Sequence, residues 1–268
     1  MKNWIRELEI CGDVTFSFED VCRRFSHLDA HVVSNALTRL RKKKLLYSPH
    51  RGFFVIVPIR YADTGVVPPT YYLDRLMRYL HRSYYVSLFS AASFFGAAHQ
   101  RAMKTSVMLQ LPRSTMTPGQ NDMIQWTYRQ NVPERFLLSR NTEIGIVKYS
   151  NADLTAIDLL HFEANAGGLS TVATILSELC EETSFAAAAE GVFSTCTSAD
   201  IQRLGFIYED ILGASAQADV IHREWRKRFA SPHRARLSPR KESRPEDGFN
   251  RRWLLEINTD IEVDETWT

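Results

Sequence analysis

Glycine is scarce in this chain, at 12 of 268 residues, and neither GxxxxGK[ST] nor GxGxxG occurs. Loops that cradle phosphate with bare backbone are therefore not expected. The four cysteines, Cys11, Cys22, Cys180 and Cys196, form no CxxC pair and no regular framework, which fits cytosolic thiols better than a disulfide scaffold. No apolar run reaches the roughly 20 residues of a membrane span. The longest, Tyr84 to Ala98, is interrupted by Ser87, Ser90 and Ser93. The opening MKNWIRELE has no signal-peptide core, so a cytoplasmic protein without membrane association is expected. Catalytic signatures are missing as well. There is no GxSxG, HExxH, Asp/Glu-x-Lys or Gly-Ser element, which argues against a hydrolase, a metalloprotease, a restriction-type nuclease or a nucleotidyltransferase. Cys11, Cys22, His27 and His31 have the wrong first spacing for a zinc finger, and the acidic stretch 260–265 lacks convergent ligands. The expectation is a protein without catalytic residue, metal or cofactor.

What is present is an ordinary globular composition, 44% hydrophobic and 24% charged, in a length that suits two domains. The net charge of +2 conceals blocks of opposite sign. Residues 1–60 hold eleven basic residues against six acidic, and residues 61–219 hold eleven against sixteen. Residues 220–252 return to eleven against four, and 253–268 hold five acids and no base. Such blocks suggest that one part of the chain meets a polyanion while another part does something else.

In the first sixty residues, Trp4, Ile5 and Leu8 have the spacing of a short helix. Ser17 stands three residues before Asp20, the pattern of an N-cap, and predicts a helix through Phe18, Val21, Cys22 and Phe25. Asp29 is placed to cap a further helix, with Val32, Val33, Ala36, Leu37 and Leu40 as its buried stripe. Leu45–Ser48 and Phe53–Val57 around Pro49–Gly52 read as a hairpin. This order of helices followed by a hairpin is that of a winged helix-turn-helix domain. No acid occurs from Ala30 to Ala62, while Arg39, Arg41, Lys42, Lys43, Lys44, Arg51 and Arg60 do. The candidate DNA-binding residues are His31, Ser34, Asn35, Thr38, Arg39, Arg41, Lys42 and Lys43 on the helix, with His50 and Arg51 on the wing. Asn35 suits adenine and Arg39 or Arg41 suits guanine, whereas lysines near the helix end suit phosphates.

Around Pro68-Pro69 the pattern breaks, and residues 61–70 read as an extended linker. Helical spacing resumes at Tyr72, Leu73, Leu76, Met77 and Leu80, and Tyr84–Gln100 reads as a turn into an apolar helix. Residues 220–252 contain Pro232, Pro239, Pro245 and Gly248, which predicts a loop-rich basic segment. Ile257 to Asp264 alternates as a half-buried strand with an acidic outer face. Asp158, Gln202 and Arg203 are read as helix and core hydrogen-bonders or partners of local carboxylates.

The run YYVSLFSAASFFGAAHQ resembles the signature segment of the AbiEi antitoxin family. LTAIDLLHFEANAGGLSTVATILSEL (154–179), IQRLGFIYEDILG (201–213) and RRWLLEINTDIEVDE (251–265) resemble further segments of that family, in the same order. The resemblance implies an α+β protein, with a winged helix-turn-helix domain at 1–60, a linker at 61–70 and a larger mixed α/β antitoxin domain at 71–268. Within that last domain, 71–219 would be the mixed core, 220–252 the basic segment and 253–268 the closing strand. It also implies repression of the protein's own operon through double-stranded promoter DNA and counteraction of a nucleotidyltransferase toxin. In much of this family neutralisation proceeds without a stable toxin–antitoxin complex (type IV). One winged helix buries too little surface for tight specific binding alone, so an inverted-repeat operator with two copies of a solution monomer is expected. The competing class is an ordinary winged-helix regulator whose C-terminal domain senses a ligand or partner. An enzyme acting on the toxin or on RNA is the weaker third.

Overall fold

The computed structural model describes residues 1–97, 103–113, 123–185, 189–244 and 246–263. Its architecture is α+β, in two compact units. The first comprises residues 1–85, 103–132 and 139–148, and the second 86–102, 133–138 and 149–268. No helix among the described residues is long and apolar enough to cross a membrane.

The first unit opens with α1 (Lys2–Ile10), β1 (Thr15–Ser17), α2 (Phe18–Arg24), α3 (Ala30–Lys42), β2 (Leu46–His50) and β3 (Phe53–Ile56). The strands form an antiparallel sheet of order β1-β3-β2. Local chemistry sets the helix starts. The Ser17 hydroxyl accepts from the Asp20 N–H at 3.0 Å, while the Asp20 carboxylate accepts from the Ser17 N–H at 2.8 Å, a reciprocal cap. Asp29 accepts from the His31 N–H at 2.7 Å. The core beneath consists of Ile5, Phe16, Val21, Val33, Leu37, Leu40, Leu46, Phe54 and Ile56. Val32, expected in the buried stripe, is 50% exposed. Successive side chains on a helix diverge by about 100°, and Val33, Leu37 and Leu40 already fill the core-facing arc.

The segment read as an extended linker, 61–70, lies between and within two short 3-10 turns. These turns are Ile59–Tyr61 and Pro69–Tyr71, and Val67, Pro69 and Tyr71 are buried. Apolar side chains between the prolines gain more from burial than the segment gains from extension. Next come α4 (Leu73–Tyr79), β4 (Tyr84–Val86), α5 (Leu88–Ala92), β5 (Thr105–Gln110), β6 (Ile124–Arg129), β7 (Leu137–Thr142) and β8 (Gly145–Ser150). The sheet order is β6-β5-β4-β8-β7, with β5 parallel to β6 and β4 parallel to β8. Tyr84–Val86, expected at the start of an apolar helix, is strand, as aromatic and β-branched residues favour. The helix that follows is short and gives way at Ser93–Phe95 to a 3-10 turn. Ala98–Gln100 lie outside the described residues.

The second unit continues with α6 (Ala152–His161), α7 (Leu169–Leu179), α8 (Ala189–Val192), α9 (Ser198–Phe206), a π-helical turn at Ile207–Ile211, and α10 (Ser215–Arg228). Strands β9 (Ala235–Arg236), β10 (Gly248–Asn250) and β11 (Leu255–Ile257) make a sheet of order β10-β11-β9. The basic segment therefore begins as helix, because Ile221 and Trp225 are wholly buried. The closing strand is shorter and earlier than the alternation from Ile257 suggests, and Asp264 falls outside the described residues. Asn258 is buried instead. Its side chain accepts from the Ser238 N–H at 2.8 Å and donates to the carbonyls of Ser238 and Lys241, both at 2.9 Å.

The face of α9 accounts for the Gln-Arg-Leu-Gly run. The Gln202 amide donates to the carbonyls of His233, Trp253 and Leu254 at 3.0, 2.8 and 3.3 Å. Arg203 is buried and donates to Asp200 at 2.7 Å and Glu163 at 3.4 Å, while His161 bonds Asp200 at 2.7 Å. Leu204 is core. Gly205 carries the indole of Trp253, and a Cβ there would lie 2.0 Å from a ring carbon. Burial alone would push the Asp200 carboxyl up, but His161, Thr197 and the Arg203 charge together hold it below the ordinary carboxylate value.

Two outcomes follow for stability. Gly205→Ala is expected to cost about 1–3 kcal/mol by overpacking, despite alanine's better helix propensity. Adding Trp253→Leu should recover part of that loss, so a urea titration showing simple additivity would contradict the seat assigned to the indole. Arg203→Ala should cost about 3–5 kcal/mol, since it strands buried carboxylates. Because the folded Asp200 value is depressed, its contribution is complete above the unfolded value near pH 4 and is lost as pH falls through the folded value. Asp200→Asn should therefore flatten the pH dependence of stability below about pH 4, measured by denaturant midpoints across the acid range.

Candidate nucleic-acid interface

The exposed side of α3 is fixed by its buried side. Val33, Leu37 and Leu40 face the core, which turns His31, Ser34, Asn35, Thr38, Arg39, Arg41, Lys42 and Lys43 out to solvent. The hairpin expected to act as a wing is β2, the turn at Arg51-Gly52 and β3. Between α3 and the wing lies a cleft of about 830 Å³, and Ser34, Thr38, Arg41, His50 and Arg51 line it. A second cleft of about 420 Å³ takes Thr38, Arg41 and Lys42 along with Lys44, Thr64 and Gly65. His31, Asn35, Arg39 and Lys43 stand outside both linings, on the exposed helix surface.

Charge in this region divides into engaged and unengaged cations. Arg60 pairs with Glu143 and lies over the ring of Tyr61 at 4.8 Å. The Lys44 ammonium donates to the Asp63 carbonyl. Arg39, Arg41, Lys42, Lys43 and Arg51 have no carboxylate within ion-pair distance among the described residues. These five are the basic members of the candidate set. His50 is half-buried, with its Nδ1 2.9 Å from the Arg51 carbonyl oxygen and its ring near Tyr79. It braces the wing as much as it presents a surface.

Two residues of this cleft were missed by the reading of the sequence. Tyr79, from α4, packs its ring 5.4 Å from that of Phe53, and its hydroxyl occupies the space a Cβ on Gly52 would need, 2.8 Å away. Gly52 has a φ of +78°, and its carbonyl accepts from the Phe18 N–H at 2.8 Å, so the wing turn is tied to the start of α2. Nothing near residue 79 signals that role, since its partners lie more than twenty-five residues away in sequence. Glu19 brings a carboxylate to the same cleft. In the sequence it reads only as an acidic residue of the first helical turn.

The structure is similar to the crystal structure of the RV2827C protein from Mycobacterium tuberculosis. The TM-score is 0.69 over 94% of this chain and 89% of that one, at 14% identity, so the likeness is one of fold. No curated protein matches the sequence. Residues 85–209 match a family model described as the AbiEi antitoxin C-terminal domain. That span holds the β4–α5 segment, the paired glycines between α6 and α7, and the Gln202–Gly205 face of α9. Over residues 85–209 the chain is therefore similar to the C-terminal domain of AbiEi-type antitoxins.

Proposed function

We propose that the protein is a DNA-binding antitoxin that represses its own operon through an N-terminal winged helix-turn-helix, and that its C-terminal part counteracts a nucleotidyltransferase toxin. The observation that carries the first half is the set of five exposed cations on and just after α3 and at the wing turn, with no carboxylate within ion-pair distance among the described residues. A stretch from Ala30 to Ala62 without a single carboxylate is what phosphate neutralisation with release of counterions favours. In this reading α3 enters the major groove. Asn35, Arg39 and Arg41 meet base edges, His31, Ser34 and Thr38 flank them, and Lys42, Lys43, His50 and Arg51 lie along the backbone. Residues 1–60 then carry repression, and the residues beyond about 71, including the antitoxin domain, carry neutralisation. An inverted-repeat operator taking two copies of a cytoplasmic monomer completes the picture, because one such module buries only about 600–1,000 Å². Neutralisation without a stable toxin complex is the form this assignment takes, and a neighbouring gene for a nucleotidyltransferase-fold protein would support it.

Gel shifts on the promoter at several salt concentrations test the DNA half. Asn35→Ala, Arg39→Ala or Arg41→Ala should each cost about 1–3 kcal/mol at the specific site. Lys43→Ala should weaken all sequences alike and flatten the salt slope by about one unit. Undiminished binding by the triple variant would remove α3 as the reading face. Growth rescue from the cognate toxin by chains silenced at α3 tests the other half, and rescue is expected to persist while repression is lost.

A further inference from the structure

Residues 220–252 hold nine arginines and two lysines, and neither operator reading nor the antitoxin match at 85–209 uses them. The structure sorts these cations. Arg252 is held between Glu209 and Asp219. Arg226, Arg228, Arg234, Arg236 and Arg240 are exposed, and none has a carboxylate within ion-pair distance among the described residues. Arg226 and Arg228 close the last turn of α10. Arg234 precedes β9 and Arg236 lies in it, and both line a cleft of about 490 Å³ with Pro239 and Ser243. The Glu256 carboxylate at that cleft accepts from Ser243 and lies opposite Arg236 in the β9–β11 pairing. On the edge strand β10, Phe249 is 39% exposed, and the Arg234 guanidinium sits 4.8 Å from its ring centroid.

Like charges collected on one surface repel unless a polyanion joins them. Arginine rather than lysine suits phosphate, because its planar fork matches the oxygens. An acidic protein would satisfy the charge but would leave the exposed ring without purpose. A duplex keeps its bases stacked inside, out of reach of such a ring. A strand with unpaired bases uses both features, phosphates on the arginines and a base on the aromatic–guanidinium platform. We infer that this face of the second unit is a separate nucleic-acid surface that binds single-stranded nucleic acid. Arg234 and Arg236, with Arg240 close by in sequence, take the phosphates, and Phe249 stacks a base.

Fluorescence anisotropy on the full chain tests this, with α3 silenced by Asn35→Ala, Arg39→Ala and Arg41→Ala. The probes are a labelled twelve-nucleotide single strand, in RNA and DNA versions, its duplex, and a poly-glutamate peptide. The single strand should bind in preference to the duplex and the peptide. Arg234→Ala/Arg236→Ala/Arg240→Ala should reduce the salt slope by about two units, at roughly 0.7 per phosphate. Phe249→Ala should weaken binding about fivefold or more, and Phe249→Trp should restore it. These replacements are at exposed positions, and circular dichroism confirms that each variant is folded. Equal affinity for duplex, stronger capture of poly-glutamate, an unchanged salt slope or indifference to Phe249→Ala would each overturn the inference. Operator binding by the native and α3-silenced chains, titrated alongside, reports on the winged helix separately.

Discussion

A missing side chain organises the second unit. Gly205 leaves a flat seat on α9, and the Trp253 indole fills it with a fit that no Cβ would allow. A buried tryptophan contributes a large apolar area only if its N–H finds an acceptor, and here the indole donates to Glu209 at 2.6 Å in the adjoining π-helical turn. Gln202 holds the backbone leading into β9 and β11, through the carbonyls of His233, Trp253 and Leu254. Trp225 backs the arrangement, with its ring 5.9 Å from that of Trp253 and its N–H on Ser198. The small sheet of β9, β10 and β11 depends on this seat, and so does the placement of the arginines that flank it.

The arginines of the chain work in two opposed ways. Arg203 is enclosed with Asp200 and Glu163, where its value lies in satisfying buried carboxylates rather than in net attraction. Arg252 bridges Glu209 and Asp219 beside the tryptophan. Arg39, Arg41 and Arg51 make no such pairs among the described residues, so their charge is available to a ligand. Surface ion pairs contribute little to stability, so leaving cations unpaired costs the fold little. The formal net charge of +2 sums every cation and carboxylate of the chain and does not distinguish these two populations.

Local signals were legible where one or two residues decide the outcome. Ser17 with Asp20, and Asp29 before α3, mark helix starts through hydrogen bonds made within three residues. The paired glycines at 167 and 168 adopt positive φ values of +91° and +95° between α6 and α7. The reading failed where distant contacts decide. Tyr84–Val86 is apolar enough for a buried helix or strand, and its place between β5 and β8 in the sheet settles the matter. Strand β1 has three residues, too few to show alternation, and exists because Thr15–Ser17 has Phe53–Val55 beside it. Trp225 is buried inside a segment whose charge and prolines suggest a loop. Of the candidate site, the face of α3 followed from periodicity, whereas Tyr79 behind the wing did not.

The same division explains how one scaffold can persist at 14% identity. Core positions such as Val33, Leu37 and Leu40 need only apolar volume in the right place, and cores accept many substitutions that conserve it. Those three residues set the direction in which Ser34, Asn35, Thr38 and Arg39 point, without constraining what those residues are. Exposed positions on a rigid helix can change with effects on stability that stay within about 0.5 kcal/mol. In the reading proposed here, sequence preference at DNA resides in those side chains, since base discrimination comes from individual hydrogen bonds at base edges. The fold thus supplies the orientation of the reading face, and exposed substitutions can retune its specificity without disturbing the core that aims it.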